Sequence, residues 1–107
     1  KVEDIFKNLS IEKSASFIKN KGIVLSNLKE KKEQEQFLNF IFNLLTNEIN
    51  CRLNSKPSDQ NHLFSKFSNK SLIKIIQKTK ETIEKASYNV NMELLLDDYF
   101  IKIGELI

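Results

Sequence analysis

Apolar residues recur along this chain at spacings of three and four, and the segments they mark are separated by only one strong break. Val2 to Asn8 carries Ile5 and Phe6, with Leu9 following, and predicts one or two helical turns. Ser10 can cap a second helix in which Ile11, Ala15 and Ile18 share a face beside Phe17, ending near Gly22. Ile23 to Leu28 fits either a helical turn or an extended linker. The run Lys29 to Gln36 is built of helix formers of both charges and leads into Phe37, Leu38, Phe40, Ile41, Phe42, Leu44, Leu45, Ile49 and Leu53. At about 100° per residue these positions cover more than half of a helix surface, which predicts a central helix touched on several sides.

Ser55-Lys56-Pro57-Ser58-Asp59 ends that helix and reads as a loop within one domain, because neither half has enough apolar faces to close a core. His62, Leu63, Phe64 and Phe67 then form a short helix, and Ser68 or Asn69 can cap the next. Leu72, Ile75, Ile76, Thr79, Ile83 and Ala86 make one stripe there; Lys74, Lys78 and Lys85 stand opposite with Glu81 and Glu84, a solvated face. The final helix is capped by Asn91, with Val90 and Leu95 at staple positions and Glu93 in the first turn. Its face of Met92, Leu95, Leu96, Tyr99, Phe100, Ile103, Leu106 and Ile107 is core, whereas Leu94 and Ile101 lie opposite, among Asp97, Asp98 and Glu105. A C-terminal helix is rarely central, so Leu94 and Ile101 are candidate subunit-interface residues.

Composition narrows the class. Two glycines and one proline in 107 residues cannot punctuate a β-sandwich, and the chain predicts an all-α domain, a compact bundle of five to six helices spanning residues 1–107. Area scaling gives roughly 6,000 Å² of folded surface, enough for a modest core. No stretch approaches a membrane span, and a start at Lys1-Val2-Glu3-Asp4 suggests a piece of a longer soluble protein. A single cysteine, Cys51, fits an intracellular, cytoplasmic setting. The net charge of +3 suggests nucleic acid, and a small lysine-rich helical nucleic-acid-binding domain is the alternative reading. Against it, Arg52 is the sole arginine and the lysines alternate with glutamates.

Little else supports chemistry. No Gly-rich phosphate loop is present, and Cys51 with His62 is the one conceivable nucleophile–base pair, both in ordinary helical stretches. Asp97 and Asp98 diverge on a helix, while Glu93 and Asp97 share a face that reads as solvated. No catalytic residue, metal site or cofactor is therefore expected.

The stretch Ile75-Ile76-Gln77-Lys78-Thr79-Lys80-Glu81-Thr82-Ile83-Glu84-Lys85-Ala86, then Asn89-Val90-Asn91, then Glu93-Leu94-Leu95-Leu96-Asp97-Asp98 through Leu106, resembles the C-terminal domain of the bacterial DNA polymerase III delta prime subunit. The resembling motif residues are Asn89, Asn91, Leu94, Leu95 and Leu96; Asp97, Asp98, Tyr99 and Phe100 depart from the usual glutamate and leucines. The resemblance implies a collar domain that joins clamp-loader subunits of the gamma/tau and delta type into a ring for loading the sliding clamp in DNA replication. It implies no catalytic step in this segment, no direct specific DNA contact and no membrane, with AAA+ modules lying N-terminal to it in the parent chain.

Overall fold

The computed structural model describes residues 2–57, 61–88 and 90–107, with Asn61 and His62 described by backbone alone. The described residues are all-α: α1 (Val2–Glu12), a 3-10 turn (Lys13–Ser16), α2 (Phe17–Asn27), α3 (Lys31–Leu53), the single turn α4 (Asn61–Phe64), α5 (Asn69–Ala86) and α6 (Met92–Glu105). Because α1, the 3-10 turn and α2 run on without an intervening coil, the described residues make four long helical stretches and one isolated turn rather than the five to six helices expected. The accessible surface is 6255 Å², close to the area expected for a compact chain of this size.

The N-terminal stretch departs from its predicted course. Ser10 does not cap a second helix; it lies inside α1, where its hydroxyl donates to the Phe6 carbonyl one turn back. The corner comes at Lys13, whose φ of 53° puts a residue with a side chain in the left-handed region. That turn resets the helical phase, so the predicted stripe fails: Ile11, Ala15 and Ile18 are exposed and Ser16, Asn20 and Val24 point inward. A buried polar chain holds the corner. Ser16 Oγ donates to the Lys13 carbonyl at 2.6 Å, Asn20 Nδ2 donates to Ser16 Oγ at 3.1 Å, and Asn8 Nδ2 donates to Asn20 Oδ1 at 3.1 Å. Satisfying these groups matters because an unpaired buried amide or hydroxyl costs on the order of 1–3 kcal/mol.

Gly22 does not have its predicted role, and Gly104 has one that the sequence did not indicate. Gly22 does not end α2, which continues to Asn27 and settles Ile23 to Asn27 as helix. A Cβ at Gly22 would meet nothing, whereas one at Gly104, inside α6, would lie 2.4 Å from the Ser14 backbone nitrogen. Gly104 therefore lets α6 press directly against the strained corner.

The centre of the molecule is α6 rather than α3, which overturns the expectation that the C-terminal helix is not central, so that the exposure of Leu94 and not the helix's position marks it as a contact residue. The last helix packs on the 3-10 turn, α2, α5 and α1, while α3 packs chiefly on α5. Leu38, Ile41, Leu45 and Ile49 form the single buried stripe of α3, and Phe40 and Leu53 remain 51% and 67% exposed, so its wide apolar arc does not make it central. Helix α3 runs antiparallel to α5: Lys31 Nζ reaches the Tyr88 carbonyl at one end, and Arg52 reaches Asn69 at the other.

The sole arginine fastens the α4 turn to α3. Arg52 donates to the Phe64 and Phe67 carbonyls at 2.6 Å each and to Glu48 Oε2 at 2.8 Å. Its fork suits divergent acceptors that a lysine could not reach together. Above this clamp Phe6 and Phe64 meet edge to face at 4.9 Å, with Phe67 about them at 6.0 and 6.1 Å. Ser68 rather than Asn69 caps α5, accepting from the Ser71 backbone N–H at 3.1 Å. Leu72, Ile75, Thr79 and Ala86 of the α5 stripe are buried, and Ile76 and Ile83 are half-buried.

Candidate functional site

Helix α6 has the cap its sequence predicts, whereas Val90, placed at the staple position, is exposed. Asn91 accepts a hydrogen bond from the Leu94 backbone N–H at 3.2 Å, and Glu93 sits in the first turn near the positive end of the helix dipole. Met92, Leu96, Tyr99, Phe100 and Ile103 are buried, with Leu95, Leu106 and Ile107 partly buried against the same core. Tyr99 is wholly enclosed, and its hydroxyl lies 2.8 Å from Thr79 Oγ1. Thr79 spends its own proton on the Ile75 carbonyl at 2.7 Å, so the tyrosine is the donor of the pair. Burial raises the Tyr99 phenol well above its ordinary range, against a smaller opposing effect of the Thr79 contact.

Two ion-pair clusters border the other side of α6. Asp97 turns toward α2, where Lys21 Nζ approaches its oxygens at 2.9 and 3.2 Å and lies 3.5 Å from Glu93. Asp98 turns toward α5 and accepts from Lys78 Nζ at 2.8 Å. The two carboxylates do diverge by the 100° step of the helix, and each takes a cation from a different neighbour. The Glu93–Asp97 face and Lys78 are thus not simply solvated: both lysine side chains are largely covered, at 18% and 14% exposure. The hydrogen bond to Asp97 raises Lys21, burial opposing it, and the bond from Lys78 holds Asp98 below its ordinary value. Glu81 is likewise lowered, chiefly by its bond from Lys85 and then by the charge of Lys78.

Between these clusters lies the outward side of α6. Leu94 is 66% exposed and Ile101, two turns on, is half-buried. The antiparallel course of α2, with Lys21 at Asp97 and Ser14 at Gly104, brings exposed Ile18 level with Ile101. Leu94 and Ile101 are therefore apolar positions of α6 that lie between the Lys21–Asp97 and Lys78–Asp98 pairs, with Ile18 of α2 at the level of Ile101. Ile18, Lys21 and Lys78 were not read as parts of this surface from the sequence. Their roles depend on which helices are neighbours, and the intrahelical spacing of Lys78 with Glu81 was the only local signal.

The remaining candidates separate. Of the motif residues, Asn91 is the cap, Leu94 is exposed, Leu95 and Leu96 face the core, and Asn89 lies outside the described residues. Cys51 is a half-buried free thiol, and its pairing with His62 also falls outside the described side chains. Among the described residues no group of three or more His, Cys, Asp or Glu side chains is placed to hold a metal ion, and no helix is long and apolar enough to cross a membrane. No protein-family model, curated protein or solved structure matches the chain.

Proposed function

We propose that this chain is a subunit-assembly module whose contact surface is the outward side of α6. The observation that carries the reading is Leu94, exposed on the helix at the centre of the fold, in line with Ile101 and level with Ile18. The bordering Lys21–Asp97 and Lys78–Asp98 pairs fix the rotamers around this apolar ridge before a partner arrives, which lowers the ordering cost of association. Exposed apolar side chains rimmed by polar groups are the usual form of such surfaces.

In its specific form the proposal is a clamp-loader collar, resting on the resemblance of the C-terminal segment to delta prime. Its neighbours would then be gamma/tau- and delta-type subunits, held at fixed spacing while motor modules elsewhere in those chains move. The collar itself performs no chemical step.

Leu94→Asp and Ile101→Asp test this reading in co-expression with clamp-loader subunits. Leu94 is the third residue of α6, where an aspartate suits the helix dipole, so the first variant should keep its far-ultraviolet circular dichroism. Loss of co-purification with helicity retained supports the assignment; co-purification of both folded variants at the parental level refutes it.

A further inference from the structure

A second apolar surface lies at the opposite end of the molecule. Between α1 and the α4 turn there is an open cavity of about 330 Å³, with Phe6, Ile11 and Leu63 among its lining residues and Lys7, Lys66 and Glu3 among the charged ones. Ile11 is 65% exposed there, although it belongs to a helix that buries Ile5, Phe6 and Leu9. Neither Lys7 nor Lys66 forms an ion pair among the described residues. The rim thus carries two ammonium groups to one carboxylate around an apolar floor.

The α6 surface has the complementary character. Leu94 projects beside Glu93, whose side chain is 64% exposed despite its 3.5 Å approach to Lys21. Asp97 and Asp98 are taken up by Lys21 and Lys78, which leaves Glu93 as the exposed carboxylate beside Leu94. We infer that Leu94 of one copy of this chain seats in the α1/α4 cavity of a second copy, with Glu93 facing Lys7 and Lys66. The inference rests on the assembly reading of the α6 surface, but does not require the neighbour to be a clamp-loader subunit.

Position makes the contact head to tail. Leu63 and Lys66 lie just before the cap of α5 at Ser68, and Leu94 lies just after its far end, so the two surfaces are separated by the length of an 18-residue helix, about 27 Å. A knob and a hole at opposite ends form a heterologous interface, which leaves one of each free in every pair and propagates into a ring or an open chain. The cavity falls within the range of about 300–1,000 Å³ typical of binding pockets, and opposed charges at its rim set the register of approach.

Sedimentation equilibrium of two variants tests the inference. Leu94→Asp removes the knob and keeps the cavity; the double variant Lys7→Glu with Lys66→Glu reverses the rim and keeps the knob. Wild-type protein should form species larger than a dimer as concentration rises to about 0.5 mM, and each variant alone should associate at least about tenfold more weakly. Mixed in equal amounts, the variants should give a one-to-one dimer and nothing larger, because one supplies Leu94 and the other the cavity. Thermal melts within a few degrees of wild type establish that both variants are folded. A wild-type protein that stays monomeric, a rim variant that associates as wild type does, or a mixture that stays monomeric would overturn the inference. Leu94→Asp abolishing co-purification while the rim variant retains it would leave the α6 assembly reading standing and remove only the cavity contact.

Discussion

Thr79→Val and Tyr99→Phe remove opposite ends of one buried hydrogen bond, and the structure makes their costs unequal. The Thr79 hydroxyl donates to the Ile75 carbonyl and accepts from Tyr99, so it has two partners to the tyrosine's one. Replacing Thr79 by valine keeps the shape but leaves the Tyr99 hydroxyl enclosed at 0% exposure with no acceptor, a penalty of about 1–3 kcal/mol. Replacing Tyr99 by phenylalanine removes the donor while Thr79 keeps its bond to Ile75, so the loss is the net worth of one neutral hydrogen bond, about 1 kcal/mol. In the double variant no orphaned hydroxyl remains, and its cost should fall below that of Thr79→Val alone, a favourable coupling of more than about 1 kcal/mol. Urea unfolding followed by circular dichroism reads all three, and in thermal melts each kcal/mol corresponds to about 4–8 °C for a domain of this size. A double variant at least as unstable as the sum of the single variants would refute the assignment of Tyr99 as the donor with no second acceptor.

Gly104→Ala places a methyl group 2.4 Å from the Ser14 backbone nitrogen, and should destabilise by about 2 kcal/mol even after the gain of about 1 kcal/mol in helix propensity, read as a lowered urea midpoint. Arg52→Met leaves Glu48, 1% exposed, without its cation and frees the Phe64 and Phe67 carbonyls; a loss of about 3 kcal/mol is expected, with Glu48→Leu in the same chain recovering a large part. Acid should weaken the fold through Asp98 and Glu81. Both are held below their unfolded values, so the unfolded state binds more protons and their contribution, complete above about pH 5, disappears as pH falls through the folded values. Lys78→Met should flatten the dependence of the urea midpoint on pH below about 5, and an unchanged slope would contradict the pairing.

The stripes of α5 and α6 were legible because their buried positions follow a single helical phase and their caps, Ser68 and Asn91, precede them directly. The region from Ser10 to Leu28 was not, and the reason is the corner. A lysine at positive φ carries no compositional mark, and once the phase shifts there, Ser16 and Asn20 become core while Ile11 and Ile18 do not. Glycine misled in the same way. Gly22 looks like a terminator when only local propensity is weighed, whereas the requirement at Gly104 comes from a turn ninety residues away. The breadth of the apolar arc on α3 suggested centrality, yet Phe40 and Leu53 simply stay in water. In the candidate site, Leu94 and Ile101 could be picked from the helical wheel, but the lysines that border them belong to α2 and α5 and become visible only when the helices are assembled.

The contact between Ser14 and Gly104 also orders events in time. The bend that turns α1 into α2 has its strained residue within the first fifteen of the chain and its packing partner within the last four. During synthesis the corner between α1 and α2 emerges about ninety residues before the part of α6 that braces it, so this corner must wait, unbraced, until Gly104 has been made. In a helical domain, whose contacts are ordinarily local, this closure over ninety residues adds a long-range step that helix formation alone does not supply.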